Sequence, residues 1–125
     1  MSKQILRDMV TVEGEVIHGA KLGRQMGFPT ANMEVGGVDI ENGVYLSSVT
    51  IDGRVWRAMS NVGVRPSVDG RSRLLETHIF DFQGDLYGRV LRVDLLRKVR
   101  DEKKFSSIEE LKNQLMQDFN QIRSM

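Results

Sequence analysis

One hairpin limits what this chain can become: GVYLSSVTI (43–51) and RVWRAMSNV (54–62) flank Asp52-Gly53. Both turn positions tolerate positive φ, which a two-residue turn matched to strand twist requires. The flanking sequence continues in short strands. From Thr11 to His18, Val12, Gly14 and Val16 alternate with charged or polar positions, and Ala31 to Val35 reads as a short strand closed by Gly36 and Gly37. Val64 to Arg73, polar and holding Pro66 and Gly70, reads as a mobile loop. RLLETHIFDF (73–82), the turn region DFQGDLYG (81–88) and a last strand RVLRVDLL (89–96) follow. Short strands with such punctuation predict an antiparallel barrel.

The period then changes. Ile108, Leu111, Leu115, Phe119 and Ile122 recur at threes and fours behind Ser106 and Glu109, which have capping-box spacing. This predicts one amphipathic helix packed on the barrel. At 125 residues, with no internal repeat or linker, the chain is expected to be a single domain. Its expected parts are a lead-in (1–10), barrel (11–96), flap (97–105) and helix (106–123). Lys plus Arg total 18 against 17 Asp plus Glu, a balance that argues against a dedicated nucleic-acid or membrane surface. The absence of cysteine excludes disulfides, thiolate metal sites and a Cys nucleophile, and fits a cytoplasmic location. No apolar run reaches membrane-spanning length.

Chemistry concentrates in HGAKLGRQMGFPTAN (18–32), which holds three glycines, Lys21, Arg24, Pro29 and the pair Thr30 and Asn32. Glycines let a backbone approach an anion, cations neutralise it, and two neutral oxygens suit a Mg²⁺ that keeps water and phosphates. The same residues also describe a surface loop bent at Pro29, and neither GxxxxGK[ST] nor GxGxxG is present. Along 73–82, period two places Leu74, Glu76, His78, Phe80 and Phe82 on one face. There Glu76 is either a partly desolvated general base or the partner of an arginine on a neighbouring strand. His78 and His18, in different segments, do not suggest a dihistidine metal centre.

Four ordered motifs go further. HGAKLGRQMGFPTAN, SNVGVRP (60–66), LETHIFDFQGDLYG (75–88) and VRDEKKFSSIEEL (99–111) resemble the signatures of the riboflavin kinase family, including the kinase half of bacterial bifunctional FAD synthetases. The resemblance implies a six-stranded antiparallel Greek-key barrel with a C-terminal helix. It implies transfer of the γ-phosphoryl group of ATP to the ribityl 5′-hydroxyl of riboflavin, giving FMN and ADP. By the same resemblance, Glu76 is the base, and Thr30 and Asn32 hold Mg²⁺ and phosphate. Gly19 and Arg24 cradle the ATP phosphates, and Leu86 and Tyr87 border the adenine. Arg100, Glu102 and Phe105 belong to a flap over the flavin.

Bacterial relatives usually carry a nucleotidyltransferase domain ahead of this one, so this chain is expected to stop at FMN. A monomer is expected. Thr77, where bacterial members commonly have valine, is expected to be neutral. Two rival classes are a flavin-binding module without catalysis and a nucleic-acid-binding barrel. The second would use the stretch from Arg89 to Lys104, where seven Lys or Arg outnumber three acids but few aromatics interleave.

Overall fold

The computed structural model describes residues 9–18, 27–67 and 70–125. Six strands and one helix follow in order: β1 (Val10–Glu15), β2 (Ala31–Glu34), β3 (Gly43–Ile51), β4 (Arg54–Ser67), β5 (Gly70–Ile79), β6 (Val90–Arg100) and α1 (Ile108–Arg123). The spatial order is β1-β6-β3-β4-β5-β2, with every pair antiparallel. The two edges meet where Ile17 N donates to Asn32 O at 2.8 Å, so the sheet curls into a nearly closed barrel. Closure matters for function because it brings the end of β1 against β2, the two ends of the glycine-rich segment. No helix among the described residues is long and apolar enough to cross a membrane.

The β3–β4 hairpin turns as the sequence requires, with Asp52 at φ 51° and Gly53 at φ 81°. Alternation along the strands makes two cores. Val49, Val62, Leu75 and Leu95 face the barrel interior and are fully buried. On the outer face, Phe28, Val44, Met59 and Phe80 pack with Ile122, Phe119 and Leu115 of α1.

Three boundaries differ from the sequence expectation. The described residues of 64–73, expected to be a loop, are strand: Val64 pairs with Arg73, Arg65 with Ser72 and Pro66 with Arg71. Strand β3 pairs with β4 only as far as Val62, so beyond it β4 is an edge, where a proline whose missing N–H faces the open side removes no ladder bond. β6 likewise runs to Arg100 instead of ending at 96. Two register shifts against β3 break its alternation near Leu96, which hides the continuation from a period-two reading and shortens the expected 97–105 flap to the loop 101–107. The helix cap is Ser107, whose side chain accepts from Glu110 N at 3.1 Å, one residue beyond the expected Ser106/Glu109 pair. Ile108, expected in the apolar stripe, is exposed.

Thr77, expected to be neutral, is hydrogen-bonded inside the barrel. Its hydroxyl ends a buried chain across the barrel interior, Ser47 Oγ to Ser60 Oγ at 2.7 Å and Ser60 Oγ to Thr77 Oγ1 at 2.8 Å. Removing the end member Thr77 loses one buried hydrogen bond and leaves Ser60 with Ser47, removing the central Ser60 leaves two buried hydroxyls without each other, and removing all three leaves an apolar barrel. Thr77→Val is therefore expected to cost about 0.5–1.5 kcal/mol in urea unfolding, and Ser60→Ala more. The triple change Ser47→Ala/Ser60→Ala/Thr77→Val should cost less than the sum of its parts, and additive losses would mean that the hydroxyls are not coupled.

Candidate active site

Strand β5 organises the site. Its outward residues Glu76 and His78 sit beside β2 on one side and β4 on the other, because Asn32 and Asn61 are both Cα partners of Glu76. Cross-strand partners on one face have Cβ atoms about 4.5–5.5 Å apart. The register therefore makes Asn32, the C-terminal member of the expected metal pair, an immediate neighbour of the expected base.

On the nucleotide side, Thr30 Oγ1 donates to Asn32 Oδ1 at 3.2 Å, and Asn32 Nδ2 donates back to Thr30 O at 3.4 Å. Both residues line a cleft of about 450 Å³ with Val16, Ile17, His18, Pro29, Thr77, Leu86 and Tyr87. Four expected nucleotide residues, Thr30, Asn32, Leu86 and Tyr87, thus share one cavity. Leu86 is buried and Tyr87 is exposed, its ring stacked on His18 with centroids 3.7 Å apart. Gly19 and Arg24 lie outside the described residues.

The other side of Glu76 is built by SNVGVRP. Asn61, Gly63 and Arg65 occupy alternate positions of β4 and share its outer face. Arg65 Nε donates to Glu76 Oε1 at 3.0 Å, and its Nη2 reaches the same oxygen at 2.9 Å and Glu102 Oε1 at 3.3 Å. Gly63 makes the room, since any Cβ there would collide with the Arg65 guanidinium and the Glu102 carboxylate. Burial alone would lower the pKa of Arg65, but the Glu76 and Glu102 carboxylates outweigh it and raise it. Asn61 Oδ1, beside Glu76, is buried without a hydrogen-bond partner. Glu76 therefore has the arginine partner on a neighbouring strand that one sequence reading gave it, and it pairs across β2 with Asn32, which lines the cleft. Arg65 and Asn61 were not singled out from sequence, although the motif's i, i+2, i+4 spacing on a strand was the available signal.

His78 Nδ1 lies 2.9 Å from Pro29 O, with its ring among Phe28, Phe80 and Phe119. Desolvation lowers its pKa, partly opposed by the Pro29 carbonyl. Phe82, expected on this face, instead packs against the interior core and Trp56. The strand ends at Ile79 and Asp81 takes φ 61°, which breaks the alternation.

The expected flap residues are dispersed. Glu102 joins the Arg65 clasp. Phe105 is half-buried, with Lys103 Nζ 5.8 Å from its ring centre. Arg100 is turned toward the helix, where Nε and Nη2 donate to Asp118 Oδ1 and Oδ2 at 2.9 and 2.7 Å.

Thr30 and Asn32 supply two neutral oxygens, and no cluster of three His, Cys, Asp or Glu suited to a metal occurs among the described residues. That donor set fits a Mg²⁺ ion carrying its own water and phosphate ligands, and does not fit a metal enclosed by protein alone.

A family model described as Flavokinase, riboflavin kinase, matches residues 6–125. The chain belongs to the riboflavin kinase family. A bifunctional riboflavin kinase/FMN adenylyltransferase from Pseudomonas fluorescens is 42% identical over 127 residues, taking in 100% of this chain and 41% of that protein. The RNA-binding riboflavin kinase RibR of Bacillus subtilis (strain 168) is 36% identical over 113 residues, covering 90% of this chain and 49% of that protein. The chain therefore spans under half the length of these relatives. Among solved structures, one described as a macrolide-efflux protein from Streptococcus pneumoniae superposes with a TM-score of 0.82 at 35% identity, over 99% of this chain and 41% of that one. Riboflavin kinase from Trypanosoma brucei shares the fold, with a TM-score of 0.63 at 21% identity over 94% of this chain and 80% of that one.

Proposed function

We propose that this riboflavin kinase family member transfers the γ-phosphoryl group of ATP to the 5′-hydroxyl of riboflavin's ribityl chain, releasing FMN and ADP. The observation that carries the reading is the β2–β5 register, which makes Asn32 of the nucleotide cleft and the carboxylate-bearing Glu76 direct neighbours.

In this reading Thr30 and Asn32 hold Mg²⁺ at the cleft edge. The ion supplies charge neutralisation on the transferring phosphoryl group, where a loose transition state needs alignment more than covalent help. Leu86 and Tyr87 border the adenine, and Gly19 and Arg24 serve the phosphates. Glu76 accepts a hydrogen bond from the ribityl hydroxyl, orients it toward the cleft, and takes its proton as the oxygen–phosphorus bond forms. Asn61 Oδ1 offers a second acceptor to the ribityl chain. Arg65 holds Glu76 in place and, through Glu102, ties the 101–107 loop to it, so the loop that covers the flavin and the base share one guanidinium. Phe105 contributes an apolar face to that cover, while Arg100 acts through the helix.

We read the partners as riboflavin, FMN, ATP and ADP, in a cytoplasmic monomer without nucleic acid. RNA binding is stated in the name of RibR. In this chain four of the seven cations between Arg89 and Lys104 are engaged by carboxylates: Arg89 by Asp52, Arg92 by Asp94, Lys98 by Glu41 and Asp101, and Arg100 by Asp118. Such pairing leaves less free charge for a phosphate backbone.

Incubation of the purified chain with riboflavin and MgATP, followed by chromatographic separation of the flavins, should yield FMN, with none when magnesium is omitted. Unchanged riboflavin under saturating MgATP would overturn the reading.

A further inference from the structure

The segment that leads into the nucleotide corner has little backbone support. Asn32 is pinned on both sides, by Ile17 N on its carbonyl and by its pairing with Glu76. Before Ala31 the ladder stops. Phe28, Pro29 and Thr30 make no backbone–backbone hydrogen bond with a neighbouring described segment, and Pro29 has no N–H to offer. What meets the Pro29 carbonyl is the His78 ring, at 2.9 Å. A carbonyl oxygen only accepts, so Nδ1 carries the proton and the neutral ring is the Nδ1–H tautomer.

The ring is itself held. Phe28 stands edge-on to it at 5.4 Å, Phe80 at 5.8 Å, and Phe119 of α1 at 5.9 Å. Phe28 also touches Phe119, at 5.6 Å. The residue before Pro29 and the residue that bonds it are therefore locked in the same aromatic cluster, beneath the helix. His78 lies two positions along β5 from Glu76 and on the same face, so one rigid strand carries the base and the group that meets the Pro29 carbonyl.

We propose that His78 is a positioning residue for the nucleotide: its Nδ1–H fixes the Pro29 carbonyl, and through it the Thr30 and Asn32 oxygens, in register with Glu76. The proposal rests on the kinase reading and adds to it a dependence of nucleotide binding on one hydrogen-bond donor outside the cleft. The helix acquires a role beyond covering the core, since Phe119 buttresses the nucleotide corner from behind. Displacements of an ångström in such a corner weaken the alignment that phosphoryl transfer depends on.

Three substitutions separate positioning from packing. His78→Phe keeps an aromatic ring in the cluster and loses the donor. His78→Asn loses ring packing but places an amide N–H where Nδ1 stood, and His78→Gln places its amide farther out. Affinity for MgADP is read by calorimetry and KM for MgATP and for riboflavin by steady-state kinetics, with melting temperature recorded for each variant. The expected result is about a tenfold weakening of both nucleotide parameters in His78→Phe, equivalent to about 1.4 kcal/mol. His78→Asn should recover most of that loss despite its lower melting temperature, His78→Gln should not, and KM for riboflavin should stay near the wild-type value in all three.

Wild-type nucleotide affinity in a folded His78→Phe protein overturns the proposal. So does a ranking in which affinity follows melting temperature, with phenylalanine best and asparagine worst, or equal loss for both substrates. Failure of the kinase reading looks different, because the unaltered chain would then make no FMN whatever His78 does.

Discussion

Glu76→Gln is expected to lower kcat by about 10²- to 10⁴-fold, the usual contribution of a positioned general acid or base, with little change in KM for MgATP. Glutamine is close to isosteric and keeps an oxygen where Oε1 accepts from Arg65 Nε, so the clasp to Glu102 retains a partner. What disappears is the capacity to take a proton from the hydroxyl. Where the loss falls within that range also carries information. A loose phosphoryl-transfer transition state places little demand on deprotonating the nucleophile early, so a value near the lower end would mean that Glu76 mainly orients the hydroxyl. A value near the upper end would mean that proton acceptance contributes to the barrier. Stopped turnover with unchanged MgATP binding supports a role confined to the acceptor side. Parallel losses in kcat and MgATP affinity would falsify it, because Glu76 would then be supporting Asn32 across the β2–β5 pair.

The barrel was legible where turn chemistry and alternation are local. Asp52-Gly53 carries its turn type in two residues, and β3 matches the expected 43–51 because nothing in it departs from regular pairing with β4. It was not legible where a tertiary neighbour decides. Pro66 and Gly70 look like loop residues until β4 is known to be an edge at that point, and the end of β6 is hidden by bulges that only its pairing with β3 reveals. The site divides in the same way. Thr30, Asn32, Leu86 and Tyr87 come together in one cleft because a contiguous motif and a neighbouring turn are each short and local. The Arg65 clasp joins residues 11 and 37 positions apart from Arg65, and no periodicity relates them. Arg100 and Asp118 show the limit most plainly. The sequence reading put Arg100 on a flap over the flavin and gave Asp118 no role, yet they form one of the most enclosed ion pairs among the described residues.

That pair makes the second large effect. Asp118 is 1% exposed, and both carboxylate oxygens accept from Arg100, with Gln114 Nε2 adding a bond to Oδ1 at 3.0 Å. Arg100→Ala leaves a buried carboxylate without its counter-charge, which typically costs about 3–5 kcal/mol. In a domain of this size that corresponds to a fall of about 10 °C or more in melting temperature. Replacing both partners removes the uncompensated charge together with the attraction. Arg100→Met/Asp118→Leu is therefore expected to recover most of the lost stability, because well-packed apolar pairs often match a buried ion pair. The double variant also tests the proposed flavin role of Arg100. If Arg100 acts only by fastening the end of β6 to α1, the repacked protein should regain wild-type KM for riboflavin along with its melting temperature. If the remaining guanidinium donors contact the flavin directly, the protein will refold to normal stability and still bind riboflavin poorly. Stability that stays low in both the single and double variants would show that the uncompensated charge does not set the cost, and that bonds lost in both, such as Arg100 Nη1 to Asp101 O, or the repacking itself, do.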